Sequence, residues 1–196
     1  MKLACADDTF RLLDHEHIIE LICMLGLEGV DLCLMQHRSA LRLEDVRADV
    51  AAWAGRIEER VRGRGLDIAD VFVIPSTDFR TMAPNHPDPD ERAASAALFA
   101  DMLDLAARLH APGITILPGI NWEHETPDDS LERAALELGR RVEAARARGV
   151  RLSIEAHLGS VAPTPARGGG GGGNETNTKG KGRRNKIYSN EREQRG

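Results

Sequence analysis

Apolar side chains at Leu43, Val46, Val50, Trp53, Ile57 and Val61 recur every three or four residues, with Glu, Asp and Arg between them. That period predicts one amphipathic helix over 41–63. The same stripe runs through Ile18, Leu21, Ile22 and Leu25, through Ala94, Leu98, Met102, Leu105 and Leu109, and through Leu131, Ala135, Leu138, Val142 and Ala145. Four helices are therefore expected. Between them lie apolar runs too short for helices: KLACA, VDLCL, VFVIPS, ITILPG and RLSIEA, which read as five buried strands. Glycine-bearing turns such as MLGLEGVDLCL and ARGVRLSIEA lead from each helix into the next strand. The order βαβαβαβαβ builds a parallel sheet through right-handed crossovers, with helices outside.

Strand centres fall about forty residues apart, room for one strand, one helix and two loops. Two architectures fit this step, an open doubly wound sheet and the first part of a (β/α)8 barrel. CADDTFRLL, after the first strand, contains no glycine, which disfavours a dinucleotide-binding start. The expected fold is α/β, a partial (β/α)8 TIM barrel of five parallel strands and four helices over residues 1–162. After Pro165 comes a six-glycine run followed by a segment whose apolar residues are Ile187 and Tyr188. Such a stretch cannot bury a core, so 163–196 is expected to be a disordered, basic tail.

Charge follows the same division. The 196 residues carry a net charge of -5, but 167–196 hold eight Lys/Arg against three Asp/Glu, leaving 18 against 28 in 1–166. An acidic body with a basic tail results. KGKGRRNK in the tail offers only electrostatic attraction to nucleic acid, and the acidic body opposes it, so no nucleic-acid partner is expected. Cys5, Cys23 and Cys33 are odd in number and lack metal-ligand spacing, which fits free thiols in a reducing cytoplasm. MKLACADDTF meets Asp7 and Asp8 before any apolar run develops, and HIIELICMLGLEGV is interrupted by Glu20 and Glu28, so neither reads as a signal peptide or membrane span.

In a parallel barrel the chemistry collects at the C-terminal ends of the strands. Glu155 follows RLSI directly and should stand at the lip of the barrel interior, where a carboxylate calls for a metal ion or a buried cation. His157 projects to the same face if strand geometry continues. Gly159 and Ser160 add a flexible backbone and a hydroxyl. After the fourth strand, NWEHE supplies Trp122 to stack on a sugar face, with Asn121 and Glu123 for its hydroxyls. Arg80 and His86 sit in the proline-rich loop after the third strand. DHEHIIE gathers His15, Glu16, His17 and Glu20, a metal-like cluster better explained by Asp14 capping a helix.

LGLEGVDLCL, ITILPG and ARARGVRLSIEAHLGS, in that order, resemble the xylose-isomerase-like TIM-barrel superfamily, specifically its sugar phosphate isomerase/epimerase members. The resemblance implies that Glu155 is a ligand of a divalent metal (Mn, Mg, Co or Zn) and an acid/base group, and that His157 lies near a sugar or sugar phosphate. It implies proton transfer next to a carbonyl, with the metal polarising the oxygens. Members complete the site with an aspartate, a histidine and a second glutamate from strands six to eight, which this sequence does not carry. The expectation is therefore an incomplete, truncated barrel that binds metal weakly and shows no turnover. Its first and fifth strands should be unpaired edges, with Ile154, Ile116 and Val73 facing inward and uncovered, favouring oligomers or aggregation. The alternatives are a metal-dependent abasic-site endonuclease of the same superfamily and an inactive partial barrel.

Overall fold

The computed structural model describes residues 2–164 and the backbone of 186–188. Strand β1 (Ala4–Ala6) leads through a 3-10 turn (Asp7–Phe10) to helix α1 (His15–Met24). Then follow β2 (Gly29–Met35), α2 (Leu43–Ala48), α3 (Val50–Arg62), β3 (Asp67–Ile74), α4 (Pro89–Arg108), β4 (Gly113–Ile116), α5 (Pro127–Ala147) and β5 (Arg151–Glu155). The five strands are parallel and pair in chain order. This is the expected βα repeat, opened out rather than closed: among the described residues β1 has only β2 beside it.

The single helix expected over 41–63 is two. Asp49 leaves helical geometry (φ -151°, ψ 80°), and its carboxylate accepts from the Ala52 amide, capping α3. The apolar stripe runs on across the break, since Leu43, Val46, Ile57 and Val61 are all buried. Periodicity reports the buried face, whereas the cap is a local competition for a backbone N–H. Asp49→Ala should cost about 1 kcal/mol in urea unfolding, the usual value of an N-cap. Asp14 caps α1 through the His17 amide, as its sequence position suggests.

The sheet has two unlike faces. Val30, Leu32, Leu34, Val71, Val73, Ile114, Ile116 and Leu152 pack with Ile18, Ile22, Ile57, Leu98, Met102 and Leu105 in one core between sheet and helices. Val73, Ile116 and Ile154 belong to this side, correcting the expectation that they face inward. A continuous apolar run carries no phase, so the pleat alone decides which alternate residues meet the helices.

The opposite face is the one a closed barrel would enclose. Register sets it in three rows: Asp31, Asp70, Gly113 and Arg151; then Cys33, Phe72, Thr115 and Ser153; then Met35 and Ile74, with Glu155 at the end of β5. In the first row glycine makes room. A Cβ on Gly113 would lie 2.7 Å from Asp70 Oδ1 and 3.3 Å from Arg151 Nη2, so both charged groups reach into the space above it. Thr115 Oγ1 donates to the other oxygen of Asp70.

β6 (Lys186–Tyr188) pairs antiparallel with β5 across Ser153–Glu155. Of the tail expected to be disordered over 163–196, only 163–164 and 186–188 are among the described residues; at 186–188 the backbone is a strand, and that part of the β5 edge is covered. An edge presents unpaired N–H and C=O groups, and Ile187 and Tyr188 are the apolar pair of their segment. No helix among the described residues is long and apolar enough to cross a membrane, and all three cysteines are free.

Candidate functional site

The loops after β3, β4 and β5 meet above the C-terminal ends of the strands. Asn85, fully buried, ties the first two together. Its amide nitrogen donates to Ile120 O at 2.7 Å and Ser130 O at 3.0 Å, and its Oδ1 accepts from Ile120 N at 3.1 Å and Trp122 Nε1 at 3.4 Å. Gly119, at φ +98°, lets the chain pass directly over that amide. The following loop is fixed by Glu125, which accepts two bonds from Arg133 at 2.7 and 2.9 Å and one from Ser130. The Arg133 fork holds the Glu125 carboxyl below its ordinary pKa. Sequence reasoning missed Asn85, because a polar residue in a proline-rich loop carries no mark of burial.

Asn121, Trp122 and Glu123 line one open cleft of about 430 Å³ with Arg80 and His124. Arg80 Nη2 donates to Glu123 Oε1 at 3.0 Å. The His86 ring stands edge-on to the Trp122 indole, 4.5 Å between centroids. The sequence-derived trio is thus together, joined by Arg80 and His86.

Glu155 ends β5 on the barrel-interior face, half-buried, in the row of Met35 and Ile74. His157 departs from the strand. Its ring is tilted at 58° against Phe79, 4.8 Å between centroids, and it lines a cavity of about 40 Å³ walled by Val73, Ile116, Leu98 and Phe99, all from the helix-facing side. Leu158 O lies 2.7 Å from His157 Nδ1; a carbonyl only accepts, so Nδ1 carries a proton. Strand geometry stops at Glu155, and the two side chains do not share a face.

Metal binding asks more than this arrangement gives. No three His, Cys, Asp or Glu side chains come close enough to hold a metal ion among the described residues. One carboxylate is a poor site for a hard divalent cation, which takes about six ligands. Glu155 can be one donor of a set, and the described residues do not complete it.

Residues 19–167 match the family described as xylose isomerase-like TIM barrel. The chain belongs to that family. Its likeness to solved structures extends the match to the fold. It superposes on D-psicose 3-epimerase with D-tagatose from Clostridium cellulolyticum at TM-score 0.60 and 18% identity, over 78% of this chain and 51% of the other. The IolI protein with a bound zinc atom gives TM-score 0.63 at 13% identity, over 86% and 56%. A Thermus thermophilus protein soaked with zinc chloride gives TM-score 0.54 at 26% identity, over 77% and 53%. No curated protein matches the chain. The chain spans about half the length of these solved structures.

Proposed function

We propose that this family member carries the first part of a sugar isomerase or epimerase site, acting on a sugar or sugar phosphate. Glu155 is its proton-transfer group, taking a proton from the carbon next to a carbonyl, with the proton delivered afterwards to the neighbouring carbon or to the opposite face of the same one, and it is also one donor to a divalent metal whose other donors lie outside the described residues. The observation that supports this most is the carboxylate of Glu155, half-buried at the end of β5 on the interior face, at the level of the apolar Met35 and Ile74, three and two strands away. A half-buried carboxylate at the C-terminal end of a strand suits proton transfer to and from a substrate seated there. Trp122 offers an apolar face to the sugar ring, with Asn121 and Glu123 for its hydroxyls and the His157 imidazole at the neighbouring loop. The endonuclease alternative draws no support from the strand ends, where β3 and β4 finish in Ile74-Pro75 and Ile116-Leu117.

Turnover needs the remaining donors, so the test on this chain is binding. Mn²⁺ titrated into the purified protein should bind weakly, on the order of millimolar, as expected for one carboxylate plus water. Glu155→Gln should abolish that binding, and D-tagatose should perturb Trp122 fluorescence in the Trp53→Phe background. Metal binding that is unchanged by Glu155→Gln, or a Trp122 signal blind to ketohexoses, would sink the reading.

A further inference from the structure

Glu137 is buried on α5, and three guanidinium groups close on its carboxylate. Arg140 Nη1 donates to Oε1 at 2.7 Å, Arg141 Nη1 lies 3.4 Å from Oε2, and Arg92 Nε reaches across from α4 to within 3.9 Å of Oε1. Arg141 is only 4% exposed; its Nη2 donates to Ser95 Oγ at 3.1 Å, and its guanidinium lies over the Phe99 ring. An outer cleft of about 410 Å³ runs along the α4–α5 pair over this cluster. Four arginines line it, Arg92, Arg140, Arg141 and Arg148, against the one carboxylate of Glu137. Arg148 Nη1 donates to Asp104 Oδ1 at 2.8 Å, which offsets its charge, so Arg92, Arg140 and Arg141 against Glu137 leave a local excess of two positive charges. This stands in a body with 18 basic and 28 acidic residues over 1–166. None of Asn121, Trp122, Glu123, Glu155 and His157 lines this cleft.

The cations have donors to spare. Arg140 uses Nη1 on Glu137, and Arg92 uses Nη1 on the His86 and Pro87 carbonyls; their Nη2 groups make no hydrogen bond among the described residues. Three guanidinium groups sharing one carboxylate, with Arg141 desolvated, leave positive charge that a second anion offsets. A monocarboxylate would leave one excess charge, whereas a phosphate dianion leaves none and offers several acceptors to the arginine forks.

We propose that the α4–α5 cleft binds a phosphate-type oxyanion, held by Arg92, Arg140 and the Arg148 donors that Asp104 leaves free, above the Glu137–Arg141 pair. Glu137 is then a built-in competitor for the same cations. That sets an opposite-sign test. Inorganic phosphate titrated into the purified chain at constant ionic strength, read by the shifts of arginine Nε resonances, should saturate. Arg140→Gln, at an exposed side chain, should weaken binding by about fivefold, the loss of one charge-assisted contact. Glu137→Gln should tighten it by a similar factor. Fructose 6-phosphate run alongside separates a phosphate ester from the free ion as the better fit. Shifts that never saturate, or equal affinity in the native chain and Arg140→Gln, overturn the proposal. If Glu137→Gln does not fold, Arg148→Gln replaces it, with weakening as the expected result and unchanged affinity as the overturning one.

Discussion

Gly119→Ala is expected to lower the unfolding free energy by about 3–5 kcal/mol, the sum of a strained backbone and a disrupted buried amide. At φ +98° a side chain is strained whatever space surrounds it. Space is also lacking, for the new methyl would stand 2.6 Å from Asn85 Cγ and closer still to Oδ1. Asn85 cannot retreat, being fully buried and bonded to Ile120, Ser130 and Trp122. A double-mutant cycle separates the two costs. In an Asn85→Ala background, itself about 2–4 kcal/mol less stable from the orphaned Ile120 and Ser130 groups, Gly119→Ala should cost only the backbone part, about 1–2 kcal/mol. Equal costs in both backgrounds, measured by urea unfolding, would show that the two residues act independently.

Stability should also fall by about 2 kcal/mol between pH 6.5 and 8, from the buried pair formed by Asp7 and His15. Burial pushes the Asp7 carboxyl up from 3.8 to about 8, against the bond it accepts from the Cys33 amide. Burial, helped by Arg60, pulls His15 down from 6.5 to about 4. The two lie 3.6 Å apart with their side chains almost wholly enclosed. From pH 4 to 8 the folded pair therefore holds one proton, whichever group carries it. The unfolded chain also holds one between pH 3.8 and 6.5, on the imidazole, so stability is flat there. Above 6.5 the unfolded chain has none, and each pH unit up to 8 removes about 1.4 kcal/mol. Asp7→Asn reverses the profile: stability should rise from pH 4 to 6.5 and stay flat above. Denaturation midpoints across pH 4–9 in both proteins check this, and a parallel pair of curves would refute it.

At the candidate site the two levels of reading divide by residue. Glu155 was legible because a carboxylate immediately after RLSI has one place to stand, the end of a strand. Asn121, Trp122 and Glu123 were legible as neighbours because they are neighbours in the chain. The Asn85 clamp and the Phe79–His157 ring contact were not, since each joins loops tens of residues apart and neither partner is unusual in its own stretch. Nor was the charged core of α5. Of the stripe expected from the sequence, Leu138, Val142 and Ala145 do pack on the core, but the most buried line of α5 also takes in Ser130, Ala134, Glu137 and Arg141, each one residue before a stripe position. Hydrophobicity cannot anticipate that a glutamate and an arginine are buried together, because each alone would be excluded and only their pairing makes burial tolerable.

The amino-acid sequence by itself determined the alternation of strands and helices, the parallel order of the sheet and the family. Those rest on local periodicity and on short right-handed connections, which every stretch of chain carries within itself. Tertiary structure decided the rest. Which face of each strand meets the helices depends on the phase of a pleat that continuous apolar runs leave open, so Val73, Ile116 and Ile154 went to the helix side and Asp70, Arg151 and Glu155 to the interior. The pKa values of Asp7 and His15, the arginine excess between α4 and α5 and the clamp beneath Gly119 arise from groups distant in the chain sharing one low-dielectric space, and only the packed fold brings them there.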